Sequence, residues 1–258
     1  RALTAAAAEY HQLHRQWPRS IADLSAATIV RHAMVEFERR NKRLPSAGAR
    51  RQIIGFIEHL HLYVSVRCTP APWWAHDVWD LSADPRIPQR EHEPSHDKVV
   101  RLAGIEPAWL REGVRFWLRT SLTGELLRWT SVVDRARDMA RHLGPFLAAR
   151  NITDPLITDD RGELRLLFTE FSEYLKSPEA AARPDKPLSP SAIDATQSQT
   201  QVFYAFMVDH AEEAAAATGD PRWAQLTDSY TRLWGAAFRT RRAHRPRDLT
   251  WYSTAELQ

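Results

Sequence analysis

The 258-residue chain carries 35 Lys and Arg against 32 Asp and Glu, a formal net charge of +3, and 43% of its residues are apolar. That apolar content excludes wholesale disorder, and the apolar runs are too short to predict a membrane span. The single cysteine, Cys68, excludes an intramolecular disulfide framework and a cysteine-based zinc cluster. These features favour a cytoplasmic protein without a membrane partner. The sequence begins with Arg rather than Met, so we expect it to be part of a longer protein.

Three helices are predicted in the N-terminal quarter of the chain. An Ala-rich segment covers residues 3–16 and stops before Trp17-Pro18. Residues 25–43 and 47–66 repeat apolar side chains at helical spacing, and Leu44-Pro45 separates them. Residues 1–67 are therefore predicted to form an N-terminal helical domain.

The following segment, residues 68–104, changes in composition. It holds five prolines between positions 70 and 94, a density that forbids a regular helix. It also holds Trp73, Trp74 and Trp79, each of which can bury a large apolar area against a neighbour. We interpret it as an ordered Pro/Trp-rich connector.

Helical spacing returns in residues 105–238, the predicted second domain. Helices are predicted from Pro107 to Gly124, from Thr130 or Ser131 to Leu147, over residues 164–175, from Ser189-Pro190 to about residue 217, and over residues 223–238. Residues 239–258 form a basic, Pro-broken linker. The sequence thus predicts an all-α protein with two helical domains, the second of them a helical bundle.

The small net charge results from cancellation along the chain. Residues 31–51, 101–150 and 232–247 carry net charges of +5, +4 and +6, whereas residues 151–231 carry −8. Such asymmetry is typical of a polyanion-binding face, although solvated helix faces whose charges balance in three dimensions produce it equally well.

The enzyme motifs that a sequence can display are mostly absent. With nine glycines there is no phosphate-binding loop and no dinucleotide fingerprint. The cluster Asp159-Asp160-Arg161-Gly162-Glu163 resembles the magnesium motif of class I terpene synthases. We favour a turn that places acidic residues at the start of a helix, and we expect no metal and no cofactor.

The second domain carries a series of motifs in a recognisable order. They are Trp109-Leu110-Arg111, Phe116-Trp117-Leu118, Thr130-Ser131, Leu143-Gly144-Pro145, Leu188-Ser189-Pro190, Phe203-Tyr204 and Arg245-Pro246-Arg247. The series resembles the core-binding domain and interdomain linker of tyrosine recombinases, the phage-type integrases, over about residues 105–258. The N-terminal residues are similar, more weakly, to the N-terminal extension of large integrases.

This resemblance implies a function in DNA integration and recombination. The chain would be the DNA-binding portion of a site-specific recombinase, with double-stranded DNA and other protomers as partners. The family's catalytic groups have no counterpart in these residues, so this segment is expected to be non-catalytic and the catalytic domain to lie beyond residue 258.

The DNA contacts that we expect fall on two helices and the linker. Basic and helix-terminal groups suit phosphates, and Gln side chains can read adenine in the major groove. The candidates are Arg128, Thr130, Arg135, Arg141, Gln197, Thr200, Gln201, Arg241, Arg242, Arg245 and Arg247. Two alternatives remain: a helical protein-interaction domain without a nucleic-acid role, and a magnesium-dependent enzyme similar to class I terpene synthases.

Overall fold

The computed structural model describes residues 1–68, 70–91, 97–181, 183 and 185–234, and over these ranges the protein is predominantly α-helical, as predicted. The described chain divides into two compact units. The first unit comprises Arg1–Ile105 and Val114–Arg137, and the second comprises Glu106–Gly113 and the residues from Asp138 onward. Residues 68–104 therefore belong to the same unit as the N-terminal helices and as residues 114–137.

The first unit begins with three helices: α1 (Ala2–His14), α2 (Ala26–Asn41) and α3 (Ala47–Cys68). The hydroxyl of Ser25 accepts a hydrogen bond from the amide of Thr28 and caps α2. The helix ends at Asn41, and the capping residue Lys42 has a φ of 55°, in the left-handed region. A small core holds the helices together, formed by Ala6, Leu24, Ile29 and Ile57.

The Pro/Trp-rich segment supplies a two-stranded sheet to the same unit. Strand β1 (Val78–Asp80) pairs antiparallel with β2 (Val99–Arg101), with Trp79 opposite Val100. Trp79 is 1% exposed and its indole N–H donates to the carbonyl of Trp74. Sequence patterning did not predict these strands, because three residues are too few to show an alternation.

Helix α4 (Ala108–Thr123) passes from the second unit into the first after Gly113, and α5 (Trp129–Asp138) follows it. The second unit then contains a π-helical turn (Met139–Leu143), α6 (Gly144–Ala149), α7 (Arg161–Lys176), α8 (Pro190–Asp209) and α9 (Ala211–Thr218). No helix among the described residues is both long and apolar enough to cross a bilayer.

Two predicted helices have bounds that differ from the observed ones. The helix expected from Thr130 or Ser131 begins at Trp129, so neither of those residues is its N-cap, and the π-helical turn interrupts it. The helix expected to reach residue 217 breaks at His210, whose backbone leaves the helical region.

The last predicted helix, around residues 223–238, is wrong over its described part. Two 3₁₀ turns occupy this segment, Pro221–Gln225 and Asp228–Arg232. Each turn begins with a local cap, because Asp220 and Thr227 accept hydrogen bonds from the amides two residues ahead. Such side-chain bonds stabilise turns at the expense of a continuous helix.

Aromatic side chains fill the core of the second unit. Phe168 and Phe171 on α7 pack near Phe146, Tyr204 and Trp234. Trp223 and Tyr230, from the two 3₁₀ turns, are 0% exposed and contact Phe203 and Tyr204. The turns therefore bury large rings even though they are not α-helical.

Candidate nucleic-acid interface

Within the first unit, α4 presents two arginines with different environments. Arg115 is 8% exposed and donates to the carbonyls of Trp74 and His76 at 3.1 and 2.7 Å, and it pairs with Asp77. These bonds satisfy its guanidinium inside the unit, so Arg115 is a structural residue that ties α4 to the Trp-rich segment.

Arg119, one turn further along α4, is covered by aromatic rings instead. Its guanidinium carbon lies 4.4 Å from the ring centroid of Trp74 and 5.4 Å from that of Phe116. The side chain is partly buried, and burial lowers its pKa, although an arginine remains protonated at neutral pH. None of its donors bonds a described residue.

Arg135 on α5 repeats this arrangement in the same unit. Its guanidinium carbon lies 5.0 Å from the ring centroid of Trp117, and burial again lowers the pKa of the side chain. Among the described residues it also has no hydrogen-bond or carboxylate partner. A guanidinium that lies over a ring keeps its N–H donors in its own plane, where they can bind a planar or tetrahedral anion.

Arg137 lies two residues further along α5 and, unlike Arg135, its charge is neutralised by carboxylates. It pairs with Asp134 and Asp97, both at 3.0 Å. The indole N–H of Trp129 donates to the carbonyl of Asp97 at 2.6 Å and anchors the same segment. The structure thus separates arginines that hold the fold together from arginines that are left without an anion.

The start of α5 adds two of the predicted residues. Arg128 is exposed immediately before the helix, and its carbonyl accepts the amide of Val132 at 3.0 Å. Thr130 is partly exposed in the first turn. The amides of a first helical turn have no partner within the helix, and they favour a negatively charged group. Arg119, Arg128, Thr130 and Arg135 are therefore the candidate residues for contacts with an anion.

Arg141, predicted for the same surface, lies in the second unit on the π-helical turn and is exposed. Its neighbour His142 is 6% exposed. Burial, with a smaller contribution from Arg141, lowers the pKa of His142. The histidine is therefore a buried neutral side chain at neutral pH.

The predicted base-reading residues on α8 are used inside the second unit. Thr200 is 1% exposed and its hydroxyl donates to the carbonyl of Thr196, so it cannot reach a DNA groove. Gln197 donates to Ser172 at 2.7 Å. Gln201 donates to the carbonyl of Tyr230 and accepts the amide of Leu233. The expectation that these three side chains contact bases does not fit this structure.

A signal for this correction was present in the sequence. Thr196 and Thr200 share the helical spacing of the buried residues Ile193, Phe203 and Met207, so they fall on the inward stripe of α8. The missed residue Arg119 had a weaker signal, its position three residues after Phe116 in a chain with several tryptophans nearby. Arg241, Arg242, Arg245 and Arg247 lie outside the described residues, as does the predicted linker 239–258.

The acidic cluster forms the start of a helix. Asp160 is the N-cap of α7 and accepts the amides of Gly162 and Glu163 at 2.6 and 2.9 Å. Glu163 accepts a hydrogen bond from Thr158 at 2.8 Å. Within the described ranges, no group of three or more His, Cys, Asp or Glu side chains is arranged to hold a metal ion.

The strongest candidates are thus two unneutralised arginines that each lie over an aromatic ring, Arg119 on α4 and Arg135 on α5, together with the start of α5 beside Arg128. Comparison with protein-family models, with curated proteins and with solved structures finds no match for this chain.

Proposed function

We propose that this chain is the DNA-binding portion of a site-specific tyrosine recombinase that acts in DNA integration and recombination in the cytoplasm. Its partners would be double-stranded DNA and other protomers, and residues 105–238, which the structure divides between its two units, would correspond to the core-binding helical bundle. The sequence motifs named above for that family support this proposal, and so does the environment of two arginines.

The observation that carries the proposal is the pair Arg119 and Arg135. Partial burial of a cation without an anion costs free energy, because desolvation is not repaid by a charge-assisted hydrogen bond. A phosphate group offsets it, since the guanidinium edge matches two phosphate oxygens. The stacked rings hold each guanidinium in place before binding and so reduce the ordering cost.

Contacts of this kind bind the DNA backbone and carry no sequence information by themselves. Arg128 and the amides at the start of α5 would bind a further phosphate. Because Gln197, Thr200 and Gln201 are engaged within the second unit, α8 is not proposed to read bases. The binding would be strongly salt-dependent, since each phosphate that is neutralised releases counterions.

The test compares Arg→Gln substitutions that remove an unpaired charge with one that removes a paired charge. Arg119→Gln and Arg135→Gln should each weaken binding to a short DNA duplex, measured by fluorescence anisotropy over a series of salt concentrations. Each should reduce the slope of log affinity against log salt by roughly 0.9, the value for one lost phosphate contact.

Arg137→Gln is the matched control, because it lies on the same helix but its charge is already neutralised by Asp134 and Asp97. It should leave both the affinity and the salt slope nearly unchanged. The proposal is wrong if the unaltered chain fails to bind duplex DNA at low salt, or if Arg137→Gln weakens binding as much as the other two substitutions.

A further inference from the structure

An apolar groove lies between α2 and α3 of the first unit, on a part of the molecule that the DNA proposal does not use. It has a volume of about 530 Å³. Its lining residues are Ala26, Ala27, Val30, Arg31, Met34, Val35, Arg50, Ile54 and Glu58. We call it the α2–α3 groove.

The lining residues form two helical stripes. On α2, Ala26, Val30 and Met34 follow one another at intervals of four residues, as do Arg50, Ile54 and Glu58 on α3. The stripe on α2 from residue 26 to residue 35 is about 13 Å long, which corresponds to between two and three turns of a partner helix. The groove therefore has the length that an amphipathic helix requires, with an apolar stripe on α2 and, on α3, Ile54 between the charged residues Arg50 and Glu58.

The side chains in the groove suit such a partner. Alanines at one end allow a close approach of backbone, and Met34 can adapt its shape to an apolar ligand. Val35 is 59% exposed, so apolar surface at the groove is in contact with solvent.

The charged residues around the groove determine which charge a partner should carry. Arg31 is neutralised by Glu9 at 2.7 Å, and Glu58 is neutralised by Arg101 at 3.2 Å. Arg50 has no carboxylate partner among the described residues. The adjoining α2–α3 turn carries Lys42 and Arg43, both exposed and likewise without one. The end of the groove at Arg50 is therefore positively charged, and the other end is balanced.

We propose that the α2–α3 groove binds an amphipathic helix of a partner protein, with an apolar stripe in the groove and acidic residues over Arg50. This inference does not depend on DNA binding, because none of its residues belongs to the candidate nucleic-acid interface. It assigns a protein-docking role to the N-terminal helices.

The three methionines of the chain provide a direct measurement. Met34 lies in the groove, whereas Met139 and Met207 are 1% and 0% exposed in the second unit. The probe is a synthetic amphipathic peptide of about 14 residues, with leucines on one face and glutamates at one end. In protein labelled at the methionine methyl groups, the peptide should shift the Met34 signal saturably and leave the signals of Met139 and Met207 in place.

Charge reversal tests the proposed polarity. A second peptide with lysines in place of the glutamates should bind about tenfold more weakly. Arg50→Glu should reverse that preference. Arg51→Glu is its control, because Arg51 does not line the groove and its side chain bonds the carbonyl of Ala47. Val35→Glu should abolish binding, whereas Phe56→Glu, at a similarly exposed residue of α3 outside the groove, should not.

Four results would overturn the proposal. They are an unchanged Met34 signal at millimolar peptide, equal affinity for the two peptides, a Met34 shift that follows protein concentration without peptide, and a Met34 shift caused by a short DNA duplex. The third would assign the groove to a second copy of the chain, and the fourth would assign it to a polyanion.

Discussion

The aromatic rings of the two units pack against different kinds of side chain. In the second unit, rings pack mainly against other rings: Phe168 lies 5.6 Å from Tyr204 and 5.3 Å from Trp234, between ring centroids. In the first unit, Trp73 and Trp79 also pack ring against ring, but guanidinium groups cover Tyr63, Trp74 and Trp117. The one described arginine that covers a ring in the second unit, Arg150, is neutralised by Glu170 at 3.2 Å.

The two kinds of ring environment contribute to different properties: rings among rings to folding stability, and rings beneath arginines to ligand binding. A ring that is buried among rings contributes burial and packing free energy, and nothing in that arrangement is available to a ligand. A ring beneath an unneutralised guanidinium gives up part of that burial and holds a charged donor in a fixed position. We therefore expect substitutions in the second unit to act mainly on folding, and those at the stacked arginines of the first unit to act mainly on binding.

The largest expected effect is that of truncating a core ring. Phe168→Ala should destabilise the protein by about 3–5 kcal/mol, because Phe168 is fully buried and a cavity would remain. Arg119→Gln should change the free energy of unfolding by less than about 1 kcal/mol, since the lost cation–π contact is offset by removal of a desolvated charge. Urea denaturation followed by circular dichroism measures both. Similar losses from the two substitutions would remove the distinction between the units.

Two helical glycines give a second contrast. A Cβ atom on Gly113 would lie 2.5 and 2.8 Å from ring atoms of Trp223, which is fully buried, whereas a Cβ atom on Gly55 would meet nothing within 4 Å. Gly113→Ala should therefore destabilise by about 1–3 kcal/mol through overpacking. Gly55→Ala should stabilise by about 0.5–1 kcal/mol through helix propensity. Thermal denaturation should show opposite shifts, and a stable Gly113→Ala variant would mean that the second unit packs more loosely than described.

Two neighbouring tyrosines test hydrogen bonding within the aromatic core. The hydroxyl of Tyr230 accepts the amides of Ile157 and Thr158 and donates to the carbonyl of Thr158. Tyr230→Phe should cost about 1–3 kcal/mol, because two partly buried amides lose their acceptor. The hydroxyl of Tyr204 is buried and bonds no described residue, and burial raises its pKa well above the ordinary value.

Tyr204→Phe is thus the matched control, and it should be neutral or slightly stabilising. The ring centroids of Tyr204 and Tyr230 are 5.5 Å apart, so both substitutions probe nearly the same packing. Equal destabilisation by the two changes, measured as free energies of unfolding in urea, would contradict this assignment of hydrogen bonds.

The smallest effect is a pH dependence that both units share. Burial lowers the pKa of His142 in the second unit and of His76 in the first. The folded state therefore favours the neutral imidazole, and the unfolded state takes up the proton first as the pH falls below about 6.5. Stability should decrease between about pH 7.5 and pH 5.5, a range above the titration of the carboxylates.

His142→Gln and His76→Gln should each reduce this dependence, as measured by the urea midpoint at the two pH values. Stability that rises on acidification would contradict the sign. If one substitution removed the dependence and the other left it intact, the effect would belong to a single unit.

Much of the helical framework could be predicted from local patterns. Apolar spacing located α1, α2, α3 and α7 to within a few residues, and Ser189-Pro190 marked the start of α8. The interpretation of Asp160 as part of the start of a helix is confirmed by its bonds to two backbone amides. Helix positions and caps depend on residues that are close in the sequence, so local sequence patterns can predict them.

The errors involve contacts between residues distant in sequence. The sequence predicts that Gln197 contacts DNA, but the side chain bonds Ser172, which is 25 residues away. The apolar spacing predicts a helix that carries Trp223 and Tyr230, and instead these residues fill the aromatic core from two short 3₁₀ turns.

The sequence by itself therefore determined most of the helices, several of their caps and the abundance of arginine. Only the tertiary structure decided which arginines are neutralised, because that depends on whether a carboxylate or an aromatic ring lies opposite each guanidinium. Arg137 and Arg135 are two residues apart on one helix. One pairs with Asp97 and the other lies over Trp117, and no local pattern distinguishes them.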